Sequence, residues 1–431
     1  VALARNPGAV ALVTGCYAEL EAAALSALDE RIVVVPGSGK GSLLSIAGRL
    51  EETWRDQGDL LEAVLAWRRD PSAAADGLDP FAFIPSQFSF HSRPSLKVEE
   101  GCDSRCSYCR VRLARGPARS LPAEIALERV RSLEAAGKAE VVLTGVNLRQ
   151  YRDGGNRFPD LLRLLVEGTK TMAFRISSWE PEGVDEAFLD IFAHPRIRPH
   201  IHLPVQSGSD AQLRAMARAY RREQVLAACE ELRRVKGDLF IAADLIAGFP
   251  GESDEDFADT LDLVRRCRFA WIHPFPFSPR PGTAAWDLGP KVAEKTALER
   301  VAALRVLARE GRRNYVERQL GRVLEAVVEA GHRPGSDLGL HATSDNYVKL
   351  FVRGVPAGVG SGARLRCRVD GPADRAAWAA GFGDEPSEPA PPAFFRPIYS
   401  ETAGLSRVSY RSGEPDSDPE GFDLFATFAG I

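Results

Sequence analysis

Cys102, Cys106 and Cys109 stand close together in the segment VEEGCDSRCSYCRVRLARG, with the spacing C-x3-C-x2-C. Three thiolates on one loop can hold three corners of a cubic 4Fe–4S cluster and leave the fourth iron without a protein ligand. An open iron can chelate the amino and carboxylate groups of S-adenosylmethionine. An electron from the cluster then splits the sulfonium and leaves a 5′-deoxyadenosyl radical, so three cysteines suit this chemistry better than four. The same spacing also fits a zinc site whose fourth ligand lies elsewhere, such as His91. Tyr108, between two of the cysteines, is placed either to border an adenine or to pack. The chain has seven cysteines. That odd count, with three tightly clustered, is not a disulfide framework and points to metal or redox chemistry. Cys229 and Cys267 lie in helix-patterned segments and Cys367 in a strand-patterned one, and all three read as core.

The flanking elements must hold this loop. Short apolar strands at 96–99, 140–143, 174–177, 201–205, 239–246 and 271–275 are each followed by polar or Gly-rich residues, then usually by a helical pattern. The helices include 122–136, closed by Gly137, and Asp254–Cys267, with Ser253 as cap and Asp256 three residues later. Strand–helix alternation argues for an α/β fold with a parallel sheet and right-handed crossovers. Six units are too few for a full eight-unit barrel and make an open (β/α) partial barrel. The unusual residues all follow strands: Cys102, then Gly145 and Asn147, Ser178 and Glu180, Gln206 and Ser207, residues 248–252, and Ser278 and Arg280. Parallel α/β folds carry their sites at the carboxyl ends of the strands, so these groups converge on one mouth. Gly, Ser and Asn are also ordinary turn formers, and it is the cysteines that make the set a site. Their place in a parallel barrel also favours iron–sulfur over zinc, whose knuckles usually sit on small independent modules.

Residues 1–75 read as part of a smaller α/β unit, and 92–315 as the partial barrel. Residues 316–370 turn all-β and suit a small barrel. Residues 371–431 are rich in Pro, Gly, Asp and Glu and read as a largely disordered tail. The net charge is −4, with ten acidic and four basic residues from Gly371 onward, which leaves +2 on residues 1–370. A near-neutral body binds phosphates only through local arginine clusters. Arg115, Arg119, Arg218, Arg221 and Arg222 are candidates for RNA phosphates, and Asn346, Tyr347 and Lys349 for stacking and phosphate contact in the small barrel. No apolar run approaches the roughly 18 residues that span a bilayer, and the first residues lack a secretory signal. No membrane is expected, and the chain reads as cytoplasmic. PGSGKGSL is not a phosphate loop, because Val34 stands at the first-glycine position and Gly41 follows Lys40. LIAGFPGE lacks the three-glycine spacing of a dinucleotide site.

Read in order, GCDSRCSYCRVRLARG, EVVLTGVNLRQY, RISSWEP, HIHLPVQSGSDAQLRAMARAY, DLIAGFPGESDEDF and FSPRPGTAAW resemble successive blocks of the radical S-adenosylmethionine methylthiotransferases. LTGVNL and ARGPARS most resemble the branch acting on threonylcarbamoyladenosine in tRNA. TGCYAE resembles the end of that family's N-terminal domain, and the all-β segment is similar to its RNA-binding TRAM barrel. The resemblance implies a transferase with S-adenosylmethionine and two 4Fe–4S clusters, one on Cys102, Cys106 and Cys109. From their own chemistry Gly145, Asn147, Ser178, Glu180 and Gln206 are placed to help bind S-adenosylmethionine, with Tyr108, and Glu180 reads equally well as one half of a structural salt bridge. It implies a tRNA substrate, a methylthio group placed on carbon 2 of an adenosine beside the anticodon, and an external electron donor. The auxiliary cluster takes three cysteines, of which Cys16 alone has a match. The other two belong upstream of Val1, so the sequence reads as truncated, with its radical site intact and full methylthiolation impaired. Arg112 and Leu113 also stand where the family usually has a proline and a tyrosine. Methylthiolation of a ribosomal-protein aspartate, or a non-catalytic RNA-binding remnant, are the rival readings.

Overall fold

The structure, a computed structural model, describes residues 2–44, 59–69, 79–82, 92–329, 339–356, 358–372 and 424–430, with isolated positions between 46 and 51. The N-terminal unit pairs β1 (Ala11–Thr14) in parallel with β2 (Ile32–Val35). The helix Leu60–Arg69 covers them, burying Val64 and Trp67 against Val33 and Val35.

Six parallel strands follow: β3 (Ser95–Lys97), β4 (Glu140–Thr144), β5 (Ala173–Ile176), β6 (His200–Gln206), β7 (Phe240–Ala247) and β8 (Trp271–Pro276). They form two three-stranded halves, β3-β4-β5 and β6-β7-β8, joined into an open partial barrel of the expected α/β class. Val141, Leu143, Ile201, Leu203, Ile241, Ala243 and Leu245 face the surrounding helices in one continuous core. The helices form for local reasons. In Asp254–Cys267 the Ser253 hydroxyl accepts from the Asp256 amide at 3.1 Å, and the Asp256 carboxylate accepts from the Ser253 amide at 3.0 Å. That helix then buries Thr260, Leu263, Val264 and Cys267, one stripe at helical spacing. Cys229 is buried on Arg222–Lys236. No described helix is long and apolar enough to cross a membrane.

The C-terminal sheet is a closed five-stranded barrel of β9 (Val323–Val328), β10 (Leu340–Ser344), β11 (Lys349–Arg353), β12 (Arg364–Pro372) and β13 (Leu424–Gly430), in the order β9-β10-β11-β13-β12. Two pieces of the segment expected as a largely disordered tail from 371 are strand: residues 371–372 complete β12, and 424–430 return as β13 to close the barrel between β11 and β12. Residues 373–423 lie outside the described residues. The cue was available, because LFATFAG is a short apolar run with two Phe and a Thr, residue types that favour strands, but its partners are more than fifty residues away in sequence.

The small barrel docks on the amino ends of the strands. Arg198 pairs with Glu325 at 3.0 Å, Arg93 with Glu329 at 2.8 Å, and Arg175 donates to the Ser344 carbonyl at 3.2 Å. Tyr347 lies in this interface, its ring 4.3 Å from that of His200 and 5.3 Å from the Arg175 guanidinium. Asn346 is buried and donates to Gln319 at 2.9 Å. Of these two expected RNA contacts Asn346 is buried, whereas Tyr347 packs one side of its ring here and keeps 40% of its surface exposed. Lys349 remains exposed.

Glu140 is the centre of this junction. It is almost wholly buried and accepts from Arg175 and Arg198, each at 2.7 Å. Burial alone would raise its pKa, but the two guanidinium groups overcome it and hold the carboxyl at about 2 instead of 4.5. A depressed carboxyl stabilises the fold above its ordinary value and loses that contribution as pH falls through the folded value. Glu140→Gln should therefore destabilise the protein by about 3 kcal/mol at pH 7, since it leaves buried arginines uncompensated. Urea unfolding should show the gap to wild type closing as pH falls from 4.5 toward about 2.

Candidate active site

The cysteine loop leaves the first barrel strand through Gly101. Its φ is +83°, and a Cβ there would sit 2.1 Å from the Pro117 carbonyl oxygen, so glycine is required. The Cys102 amide donates to the Gly116 carbonyl at 3.1 Å, which closes the loop on itself. Ser107 pins the middle: its amide donates to Met216 at 3.0 Å, its hydroxyl to Ala215 at 2.8 Å, and its carbonyl accepts from Ala285 at 2.7 Å. On the far side Gln150 accepts from the Asp103 amide at 2.8 Å. Cys102, Cys106 and Cys109 are thus half-buried on a braced loop.

Burial pushes the Cys106 and Cys109 thiols up. The Arg218 guanidinium opposes this at Cys106, donating to its sulfur at 3.2 Å, and the Val111 amide does so at Cys109, at 3.4 Å. Arg218 is itself anchored. It pairs with Glu180, donates to the Tyr220 hydroxyl at 3.0 Å and lies over that ring. Burial raises Glu180 to about 7, against the pull of Arg218. Arg218 had been read as an RNA contact, but it belongs to the cysteine site. So does Arg115, which pairs with Glu100 at 2.8 Å and donates to the Cys16 sulfur at 3.2 Å. Cys16 opens the short helix Cys16–Leu20, and Arg110 to Glu21 at 2.8 Å adds a second tie to the N-terminal unit. Arg119 is exposed beside this loop.

Gly145 lets the second strand end close over Glu99, since a Cβ would meet the Glu99 carboxylate at 2.8 Å. Glu99 is fully buried and accepts from the Asn147 amide at 2.7 Å; burial raises its carboxyl to about 7. Its other oxygen and the Asn147 side-chain oxygen are buried without a partner. Gln206 holds a left-handed φ of +68° at the end of β6, a strain that strand ends at functional sites often carry. Tyr108 packs beside Met216, Phe249 and Ala285. Ser178 joins a group the sequence reading missed: its hydroxyl lies 2.9 Å from His202, which lies 2.9 Å from Asp244. Alternation was the available signal, because His202, Asp244 and His273 interrupt apolar strands on the face away from the helices.

Among the described residues, the set of His, Cys, Asp or Glu ligand atoms that all lie within 4.8 Å of one another is His202, Asp244 and His273, not the three cysteines. The three cysteine sulfurs do not all lie within 4.8 Å of one another, a wider spread than the ligands of one tetrahedral zinc at about 2.3 Å from the metal would have, and one that leaves room for a larger cluster. The proposed fourth zinc ligand, His91, lies outside the described residues. Two buried acceptors without donors suit an ammonium group, which S-adenosylmethionine carries. The residues fit both cofactors.

Residues 96–264 match the Radical SAM superfamily. The chain is 41% identical to threonylcarbamoyladenosine tRNA methylthiotransferase MtaB of Treponema pallidum (strain Nichols), covering 85% of this chain and 84% of that one. It is 30% identical to the protein of the same name from Bacillus subtilis (strain 168), covering 85% and 80%. It is 34% identical to the tRNA-2-methylthio-N(6)-dimethylallyladenosine synthase of Syntrophotalea carbinolica (strain DSM 2380 / NBRC 103641 / GraBd1), covering 80% and 78%. The chain belongs to the radical SAM methylthiotransferases. A radical SAM methylthiotransferase is a transferase that uses a 4Fe–4S cluster and S-adenosylmethionine, and Cys102, Cys106 and Cys109 are the residues that would hold the cluster.

Replacing Cys106 with Ala should remove about four irons per chain after anaerobic reconstitution and abolish formation of 5′-deoxyadenosine. Cys229→Ala, in the helix core, should leave both unchanged. Iron counting and chromatography of the cleavage products check this.

Proposed function

We propose that this methylthiotransferase places a methylthio group on carbon 2 of N6-threonylcarbamoyladenosine beside the anticodon of tRNA. The observation that carries the reading is Arg115, whose guanidinium joins Glu100, two residues before Cys102, to Cys16 of the N-terminal unit. Methylthiolation needs a hydrogen removed and a sulfur delivered at one carbon. Arg115 and the Arg110–Glu21 pair hold the two cysteine-bearing units edge to edge at one mouth. When bound, the clusters and S-adenosylmethionine supply the radical, the methyl group and the sulfur.

The chain's own residues do the rest. Gly101 and Ser107 fix the loop, Arg218 neutralises charge beside Cys106, and Glu180 keeps Arg218 in place. Glu99 and Asn147 offer acceptors to the ammonium of S-adenosylmethionine, and Ser178 and Gln206 line the same mouth. Exposed Arg119 would meet RNA phosphates there, and Lys349 would do so on the small barrel, read as a TRAM domain. Low-potential electrons come from an external donor, and the setting is the cytoplasm. The identity to relatives named for this nucleoside supports the choice of base.

Deleting the gene and digesting total tRNA to nucleosides tests this. Mass spectrometry should show the methylthio form of threonylcarbamoyladenosine lost and the unmodified form accumulated. The wild-type gene should restore it and Cys106→Ala should not. Unchanged nucleosides in the deletion strain would overturn the assignment.

A further inference from the structure

Each cysteine site carries the same small device. At Cys16 it is thiol, Arg115, Glu100; at Cys106 it is thiol, Arg218, Glu180. The second is the more deeply set, with the Arg218 side chain 7% and Glu180 13% exposed. Nothing in the binding of iron requires it, because an arginine does not ligate a metal and Cys106 needs none to present its sulfur. Arg218 is also not spare surface charge. Three contacts converge on it: Cys106 at 3.2 Å, the Tyr220 hydroxyl at 3.0 Å and the Glu180 carboxylate. The Tyr220 hydroxyl in turn donates to the Pro204 carbonyl at 2.6 Å, fixing this shell to the end of β6.

We infer that Arg218 and Glu180 form an opposed pair that sets the reduction potential of the cluster held by Cys102, Cys106 and Cys109. The inference rests on the reading that these cysteines hold that cluster. Hydrogen bonds to cluster sulfurs and nearby charge are the protein's levers on potential. The redox step is the addition of one electron, from a low-potential donor such as dithionite, to the oxidised cluster. Reduction adds one negative charge to the site. An N–H donor and a positive charge at Cys106 stabilise the reduced form and raise the midpoint. The Glu180 carboxylate opposes part of that field and lowers it. The pair is buried, so water screens neither member fully. Arg149 and Glu182, also near Glu180, pair with each other at 3.3 Å and largely cancel.

The two members must then act with opposite sign, which no merely structural role would produce. The test is an EPR-monitored redox titration of the intact, anaerobically reconstituted protein, without S-adenosylmethionine, at about pH 8.5, above the value of about 7 to which burial raises Glu180. Arg218→Met should shift this cluster's midpoint down. Glu180→Gln should shift it up, with iron content kept in both. Arg218→Lys keeps the charge and should recover part of the loss. Variants that retain iron but leave the midpoint unmoved, or move it in the same direction, would overturn the inference. Wild-type protein that takes up no iron at these cysteines would instead defeat the reading beneath it. If either variant loses iron, the same titration on Arg218→Lys and Glu180→Asp decides. Lysine should then sit below wild type, and aspartate, with its shorter reach to Arg218, above it.

Discussion

One buried carboxylate holds the frame on which the site depends. The two halves of the parallel sheet share almost no ladder: between β5 and β6 there is a single isolated bridge, Phe174 to Ile197. Glu140 closes this seam from below, taking one arginine from β5 and one from the approach to β6. The same arginines reach Ser344 and Glu325 of the small barrel. A buried ion pair is rarely a large net source of stability, but its geometry is demanding. Here it ties the two half-sheets to each other and to the small barrel.

The upper end of the seam is closed differently. The Trp179 amide donates to the His202 carbonyl at 2.9 Å, Ser178 meets His202, and Glu180 meets Arg218. These contacts come from the short extended run after β5, so the strand that lacks a full partner supplies the polar groups of the mouth. An incomplete barrel therefore leaves room for a ligand and also leaves a strand end whose hydrogen bonds must be met by side chains. The residues that meet them are the ones available for chemistry.

The sequence made the barrel legible because its signals are local. The strand rhythm, the Ser253 cap and the C-x3-C-x2-C spacing each need only a short window. Cys229 and Cys267 were legible as core from helical position alone. Arg218 and Arg115 were legible as arginines but not as partners of sulfur. Their thiols lie 112 and 99 residues away, and only the fold brings them together. The packing of Tyr347 was hidden for the same reason: an aromatic beside Asn346 and Lys349 shows its place in a strand turn, but its contact with His200 is made only by the fold. The last strand of the small barrel was hidden by composition, since the acidic Pro- and Gly-rich stretch before it masks a seven-residue apolar run.

If the small barrel meets RNA as proposed, its docking constrains how that RNA approaches. Its contacts, Arg93, Arg175 and Arg198, lie at the amino ends of the strands, whereas the cysteines lie at the carboxyl ends. Strands of six to eight residues separate those ends by about 20 Å at roughly 3.3 Å per residue. A single extruded base cannot bridge that distance. An RNA that meets both the mouth and the small barrel must run along the outside of the sheet as a body at least this long. A helical stem does so, and a short unstructured strand collapsed into the mouth does not. The placement of the two units thus favours a folded RNA whose target base is presented at one end of a stem. On that proposal the Glu140 junction, which seats the small barrel, fixes the distance between the two places such an RNA would touch.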